Sequence, residues 1–394
     1  MVEIDDGCRD DAGGFQEEGA STLAVQAFSS LCFSCVGLLL AGWLLNVVQY
    51  WPVFVEIPQF FALVPVLLNL KGNLELTLSA RLSTAANTGL FARQNLRRQT
   101  IVGNMVVIQV QAVAVGAIAG CHTLLLDVIS GSSFVIEDAV FVVSSSVAST
   151  ATASFVLGAI MCGLVYACYC LRLNPDNIAA PVAAALGDLS ALYLLGVIGG
   201  RLYENDRLVG ATIMLIVFLV LLPAAFWYAW TNPFVQPVLV HGWAPLLLAM
   251  VIASGAGLLF EASVQGYLGV AVIAPIINGL GGSVAAIYSS RRSTALHAKA
   301  KDNYFAAAAT LFGLQAAVLL VVVYALGYLR ILSIGWPMLV AILVVGQAQV
   351  LILMPMAHLL VKYLWSQGME PDDYALPIIT ALGDVVGTGL LTAA

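Results

Sequence analysis

Along the chain, apolar residues gather in long runs rather than alternating with polar ones. Polar or Pro/Gly-containing breaks separate eleven runs, near 22–48, 55–82, 101–126, 139–171, 177–200, 208–230, 238–260, 266–290, 304–329, 336–365 and 374–394. Each approaches or exceeds the roughly 20 residues that a helix needs to cross the hydrocarbon of a bilayer. The period-two alternation that an outer-membrane barrel requires is absent. The pattern predicts an all-α integral membrane protein with about eleven spans. The run at 139–171 is longer than the hydrocarbon needs, so that helix is expected to tilt, bend or protrude.

Composition removes the soluble alternative. The chain is 61% hydrophobic and 9% charged, against about 25% charged in an average soluble domain. The net charge of −7 is mostly a property of one end, because seven of the 22 acids (Glu3, Asp5, Asp6, Asp10, Asp11, Glu17 and Glu18) lie in the first eighteen residues. Residues 1–21 therefore read as an acidic, disordered tail. The tail lacks the basic start and apolar core of a cleaved leader. Cys32 and Cys35 form a C-x-x-C, but inside an apolar run small-residue packing outweighs redox or zinc chemistry.

An internal repeat organises the spans. Pro65-Val66-Leu67-Leu68-Asn69-Leu70-Lys71-Gly72-Asn73 through Arg81-Leu82-Ser83-Thr84-Ala85 aligns without a gap to Pro275-Ile276-Ile277-Asn278-Gly279-Leu280-Gly281-Gly282-Ser283 through Arg291-Arg292-Ser293-Thr294-Ala295. Farther on, Pro175-Asp176 and Pro181 through Leu186-Gly187-Asp188 recur as Pro371-Asp372 and Pro377 through Leu382-Gly383-Asp384. Two motifs in the same order predict two five-helix repeats, 22–200 and 238–394, joined by a linker at 201–237 that contains one transmembrane helix. Five helices carry the chain across the membrane, so the single linking span makes the repeats parallel, related by a pseudo-two-fold along the membrane normal. With eleven spans, eleven of the fifteen Lys and Arg residues fall on the side of the N-terminus. The positive-inside rule then makes the N-terminus cytoplasmic and the C-terminus external.

Ionisable residues at membrane depth are costly and by default mark a pathway. The candidates are Lys71, Glu75, Asp188, Glu261 and Asp384. Asp188 and Asp384 each follow a proline by seven residues in the last helix of a repeat, so the pseudo-two-fold sets them opposite each other. Around Asp384 the same helix face carries Pro377, Thr380, Ala381, Gly387 and Thr388, a small, hydroxyl-bearing stripe suited to a water-containing conduit. Two facing carboxylates repel unless a cation or a shared proton lies between them. A cation is the simpler answer, and a hard dication suits oxygen ligands. Mg²⁺, reluctant to lose water, is usually held by one or two carboxylates through its hydration shell. The bland alternative is a pair of hydrogen-bonded packing acids.

The Pro65-to-Asn73 and Pro275-to-Ser283 segments, rich in Pro, Gly and Asn, are expected to weaken the second helix of each repeat and line a cavity with carbonyls. Asn69 and Asn73 are four apart and share a face, and Asn278 adds a further amide. Close helix packing through the glycines is the structural alternative. Lys71 and Glu75 are also four apart but on roughly the opposite face, so they are expected to pair, which makes Glu75 a weaker ligand candidate than the amides. The second repeat has Gly281 and Ala285 at those positions. Glu261 divides evenly between an interfacial and a functional reading. His122, His241, His297 and His358 lack metal-ligand spacing, and the basic run Arg93–Arg98 reads as a lipid-headgroup anchor rather than a nucleic-acid site. No P-loop is present to drive an ATP-powered pump.

With these residues in view, the sequence resembles solute carrier family 41, the eukaryotic relatives of the bacterial MgtE magnesium channels. The resemblance rests on Leu70-Lys71-Gly72-Asn73-Leu74-Glu75-Leu76-Thr77-Leu78, on Arg81 through Asn87, on Pro275 through Gly282, and on the ending Thr380 through Leu391. It covers residues 22–394 and implies an MgtE-like transmembrane fold within one chain, so that a monomer would form the complete pore. It also implies that Asp188 and Asp384 match the family's pore aspartate, which holds hydrated Mg²⁺, and that Glu261 matches an acid of the family's first helix. The sequence departs from the family pattern at Ser283, where Asn is usual, at Tyr288, where Gln is frequent, and at Asn46, where an acid is expected.

The expectation is a multi-pass plasma-membrane transporter of divalent cations, Mg²⁺ first among them, and not an enzyme. It would work either as a channel-like pore or as an exchanger coupled to Na⁺, with lipid and the cation as its partners. Two alternatives from other classes stand beside it. An intramembrane aspartyl protease would use the two acids, although Ala185 and Ala381 occupy the first glycine position of the G-x-G-D signature. A non-transporting Mg²⁺ sensor or scaffold would fit the departures at Ser283 and Asn46.

Overall fold

The structure is a computed structural model that describes residues 19–129, 131, 135–204, 207–264, 268–300, 303–328 and 335–393, with the backbone alone at 207 and 254 and over 256–264 and 268–272. The tail expected over 1–21 lies almost wholly outside the described residues. Among these residues the chain is helical and has no strand. In order the helices are α1 (Ala20–Val48), α2 (Pro52–Glu56), α3 (Pro58–Asn87), α4 (Gln94–Ile129), α5 (Ile136–Leu171), α6 (Ala179–Glu204), α7 (Arg207–Thr231), α8 (Gln236–His241), α9 (Trp243–Val264), α10 (Leu268–His297), α11 (Tyr304–Tyr328), α12 (Trp336–Ser366) and α13 (Pro371–Ala393).

Apart from the short α2 and α8, each helix coincides with one of the eleven apolar runs. Nine helices among the described residues are long and apolar enough to cross a membrane, and α9 and α10 are the other two that match a predicted span. Proline opens α2, α3 and α13, where its missing N–H costs nothing. The 36-residue α5, at 1.5 Å per residue about 54 Å long, exceeds a hydrocarbon layer of about 30 Å. It ends where Arg172 takes a left-handed φ of 57°.

One expectation is corrected. Neither α3 nor α10 unwinds at its proline, because Pro65 and Pro275 both lie inside continuous helices. A proline deletes a single backbone donor, and the packing on both sides holds the helix together around that gap.

The two halves pack alike. Helix α6 rests on α1, α3 and α5, and α13 rests on α9, α10 and α12 in the same manner. The first helix of each half also reaches across. The start of α1 (Leu23, Ala27, Leu31, Cys35) is buried with Ile276, Ile277 and Leu311 of the second half, whereas its end (Leu44, Val48) joins the core of the first. In return, α9 packs on α3. Between the halves, α7 leans on α4 and α5 and turns Leu219, Val220 and Trp227 outward, as a lipid-facing helix does. Within the first half, a row of buried hydroxyls on α5 brings α4 close, and Ser146 Oγ donates to the Gly116 carbonyl at 2.7 Å.

Candidate functional site

A cavity of about 320 Å³ lies where α3, α6, α10 and α13 meet. Its wall follows the repeat residue by residue. At an offset of 210 between α3 and α10, Leu68, Asn69, Gly72 and Asn73 correspond to Asn278, Gly279, Gly282 and Ser283, and all eight line the cavity. At an offset of 196 between α6 and α13, Ala184 and Asp188 correspond to Thr380 and Asp384, and all four line it too. The cavity therefore straddles the pseudo-two-fold, with Pro65, Leu76 and Leu38 of α1 completing the wall.

Five of the residues singled out from the sequence, Asp188, Asp384, Asn69, Asn73 and Asn278, meet in this one space. The two aspartates come within electrostatic reach of each other. The amides are held in place across the interface between helices. Thr380 donates to Asn73 Oδ1 at 3.1 Å, and Asn73 Nδ2 donates to Asn69 Oδ1 at 3.4 Å. Asn278 Nδ2 donates to Thr388 Oγ1 at 2.9 Å, which leaves its Oδ1 buried without a hydrogen-bond partner. A buried acceptor of this kind calls for a donor, a water or a cation. Gly387 makes that placement possible, because a Cβ there would stand 2.1 Å from Asn278 Oδ1.

Glu75 is not part of the wall. It is fully buried on the far face of α3, with Oε1 3.7 Å from Lys71 Nζ, as the spacing predicted. Lys71 also donates to the Gly187 carbonyl at 3.2 Å and to Ser190 Oγ at 3.0 Å. Glu261 is in α9, and its side chain lies outside the described residues. Sequence reasoning missed Gln349 of α12. Its Nε2 donates to the Gly383 carbonyl at 2.9 Å, and it fills the room left by Gly281, where a Cβ would be 2.2 Å from its Oε1. Two amides, Gln347 and Gln349, in an apolar run were the available signal.

Beyond the cavity, the ends of α3 and α10 are locked into a polar layer. Thr84 and Thr294, equivalent residues, meet at 3.1 Å. Arg81 reaches Asp373 of the other half at 2.7 Å, and Arg291 reaches Asn177 of the other half at 2.8 Å. Asn87 donates to Asn174 at 2.8 Å, matched by His297 against Glu370 at 3.1 Å. Burial pushes the carboxyl of Asp176, in the loop before α6, above its ordinary range, opposed by hydrogen bonds from Ser290 and Thr294 and by the Arg291 charge. This layer lies about two to four turns past Asn73 and Ser283 of the cavity wall.

Chemically, the cavity offers two carboxylates, three amides and two hydroxyls around a space of about 320 Å³, room for roughly ten waters at ~30 Å³ each. An octahedral dication with most of its waters fits such a space, and its usual holders are one or two carboxylates. Among the described residues no group of three or more His, Cys, Asp and Glu gathers as a dehydrated metal site would require.

Comparison with known proteins accords with this arrangement. The family model described as MgtE, divalent cation transporter, matches residues 64–198 and 274–394. Solute carrier family 41 member 3 of Rattus norvegicus is 35% identical over 96% of this chain and 88% of its own length. Solute carrier family 41 member 2 of Gallus gallus is 36% identical over 95% of this chain and 70% of its own. The Homo sapiens member 2 is 35% identical over the same shares. The chain belongs to the MgtE family of divalent cation transporters, among its solute carrier family 41 members.

Proposed function

We propose that the protein moves Mg²⁺ across the membrane through the cavity between its two halves, with Asp188 and Asp384 flanking the ion and Asn69, Asn73 and Asn278 holding its water shell. The observation that carries this reading is the pairing itself, in which the two acids occupy equivalent positions in the two halves and share one cavity. Two carboxylates balance one dication. Amide and hydroxyl oxygens suit an ion that keeps its waters better than they suit a soft metal. A family of transporters leaves the protease alternative without support.

One chain supplies both acids, so a monomer is the working unit in this reading. In this reading the membrane is the plasma membrane, and the basic residues support a cytoplasmic N-terminus with the polar layer on the same side. The cavity would then be closed from the cytoplasm by the Thr84–Thr294 and Arg81–Asp373 contacts. The same oxygens serve a potential-driven pore or an exchanger coupled to Na⁺.

The test is Mg²⁺ flux into proteoliposomes of the purified protein, read by an internal dye with and without a membrane potential and a Na⁺ gradient. Flux that follows the potential and ignores Na⁺ identifies a pore, whereas flux that reverses with the Na⁺ gradient identifies an exchanger. Asp384→Asn is expected to bring the signal to background while folded protein remains. Wild-type flux in a well-expressed Asp384→Asn variant would sink the site.

A further inference from the structure

The two halves hold the backbone ahead of their aspartates by the same device made from different parts. In the second half the Gly383 carbonyl, one residue before Asp384, accepts from the neutral amide of Gln349 at 2.9 Å. In the first half the equivalent Gly187 carbonyl accepts from the ammonium of Lys71 at 3.2 Å. Gly281, the counterpart of Lys71, leaves the room that Gln349 takes. Fixing that carbonyl evidently needs no charge, and a buried ion pair is weak evidence for stability, since well-packed apolar residues commonly replace one without loss. The charge on Lys71 is thus an excess that the geometry alone does not account for.

We propose that Lys71, tethered by Glu75, is the positioning residue that limits how tightly the cavity holds its cation. This inference rests on the cavity being the cation site. Lys71 and Glu75 are fully buried, and neither belongs to the wall, so neither touches the ion. The pair is oriented. Its ammonium end lies against Gly187 and Ser190, within electrostatic reach of Asp188. Its carboxylate end sits one turn farther along α3, beside Ser154 of α5. Among the described residues, the charged group that acts on Asp384 is Asp188. Two unopposed carboxylates in a low-dielectric interior attract a dication strongly. Conduction demands an ion that enters favourably and still leaves. A fixed positive charge behind one carboxylate subtracts part of that attraction and cannot itself be displaced into the pathway.

The experiment measures the half-saturating Mg²⁺ concentration and the maximal flux in proteoliposomes, together with Mg²⁺ binding to the purified full-length protein. In Lys71→Gln/Glu75→Gln both charges go and a glutamine copies Gln349. Half-saturation is expected at roughly tenfold lower Mg²⁺, from loss of an oriented pair whose positive end lies toward Asp188, with lower maximal flux because release slows. Glu75→Gln alone unmasks the ammonium, and half-saturation is expected to move to higher Mg²⁺. Lys71→Arg keeps the charge and is expected to saturate where the wild type does, which covers the case in which Glu75→Gln does not fold. A purely structural role would change yield or maximal flux and leave half-saturation alone. Wild-type half-saturation in the folded double variant overturns the assignment. Binding abolished by Asp384→Asn but unchanged in the double variant removes this inference and spares the cavity. Binding that survives Asp384→Asn removes both.

Discussion

Around Asp188 the support is an ammonium from α3 with its own buried counter-ion, whereas around Asp384 it is a neutral amide from α12. The cavity wall repeats that divergence. Where one half has Leu68, Asn69 and Ala184, the other has Asn278, Gly279 and Thr380. Duplication preserved the backbone positions and the two acids, while the other polar groups were redistributed between the halves. A symmetric site made of two identical subunits cannot do this, because each substitution would appear twice. A single chain can give its two carboxylates different surroundings, and it can place a single charge where a symmetric pair would leave two or none.

The largest expected effect breaks the comparison at its charged end. Lys71→Met removes the cation 3.7 Å from the buried Glu75, and removing one partner of a buried pair costs about 3–5 kcal/mol. The matching lesion in the other half, Gln349→Leu, removes one neutral hydrogen bond and is expected to cost about 1 kcal/mol. Thermal unfolding of the two variants in detergent checks the contrast. Equal midpoints would mean that the ion pair carries no charge in the folded protein.

A smaller effect comes from the space around Asn278. Gly387→Ala would put a methyl 2.1 Å from Asn278 Oδ1 and 2.6 Å from Gln349 Nε2, and overpacking of this kind typically costs about 1–3 kcal/mol. Both amides must move, so weaker Mg²⁺ binding is expected alongside the lower midpoint. The first half already carries Ala191 at that position, fully buried, and has Leu68 rather than an amide at the position of Asn278. A Gly387→Ala variant that binds Mg²⁺ as the wild type does would remove Asn278 from the site.

Much of this was legible before the structure. Long apolar runs mark the helices to within a few residues, since bilayer thickness sets their length. The constant offsets of the repeat bring Asp188 and Asp384 together. Helical periodicity separates the face of Asn69 and Asn73 from that of Lys71 and Glu75, which is how α3 divides between wall and interior. The rest was hidden for physical reasons. Proline content suggested broken helices, but packing on α6 and α13 holds α3 and α10 intact. Gln349 has no sequence relation to Asp384, and its place depends on glycines from two other helices, Gly281 and Gly387. The crossing of Arg81 to Asp373 and of Arg291 to Asn177 depends on how one half rotates against the other, which no local pattern records.

The smallest expected effect lies where the halves remain alike. Thr84 and Thr294 are equivalent residues touching each other at 3.1 Å, so a contact on the axis is its own mirror image. Either Thr84→Val or Thr294→Val removes the same hydrogen bond and is expected to cost about 1 kcal/mol. The double variant is expected to cost less than the sum, because both substitutions remove the same Thr–Thr hydrogen bond. Unequal single costs would show that the asymmetry of the cavity extends into the polar layer, for instance through Asp372, which stands beside Thr84 and Ser293. Equal single costs with positive coupling would confine the divergence to the surroundings of the two acids, where an unequal field bears directly on the ion.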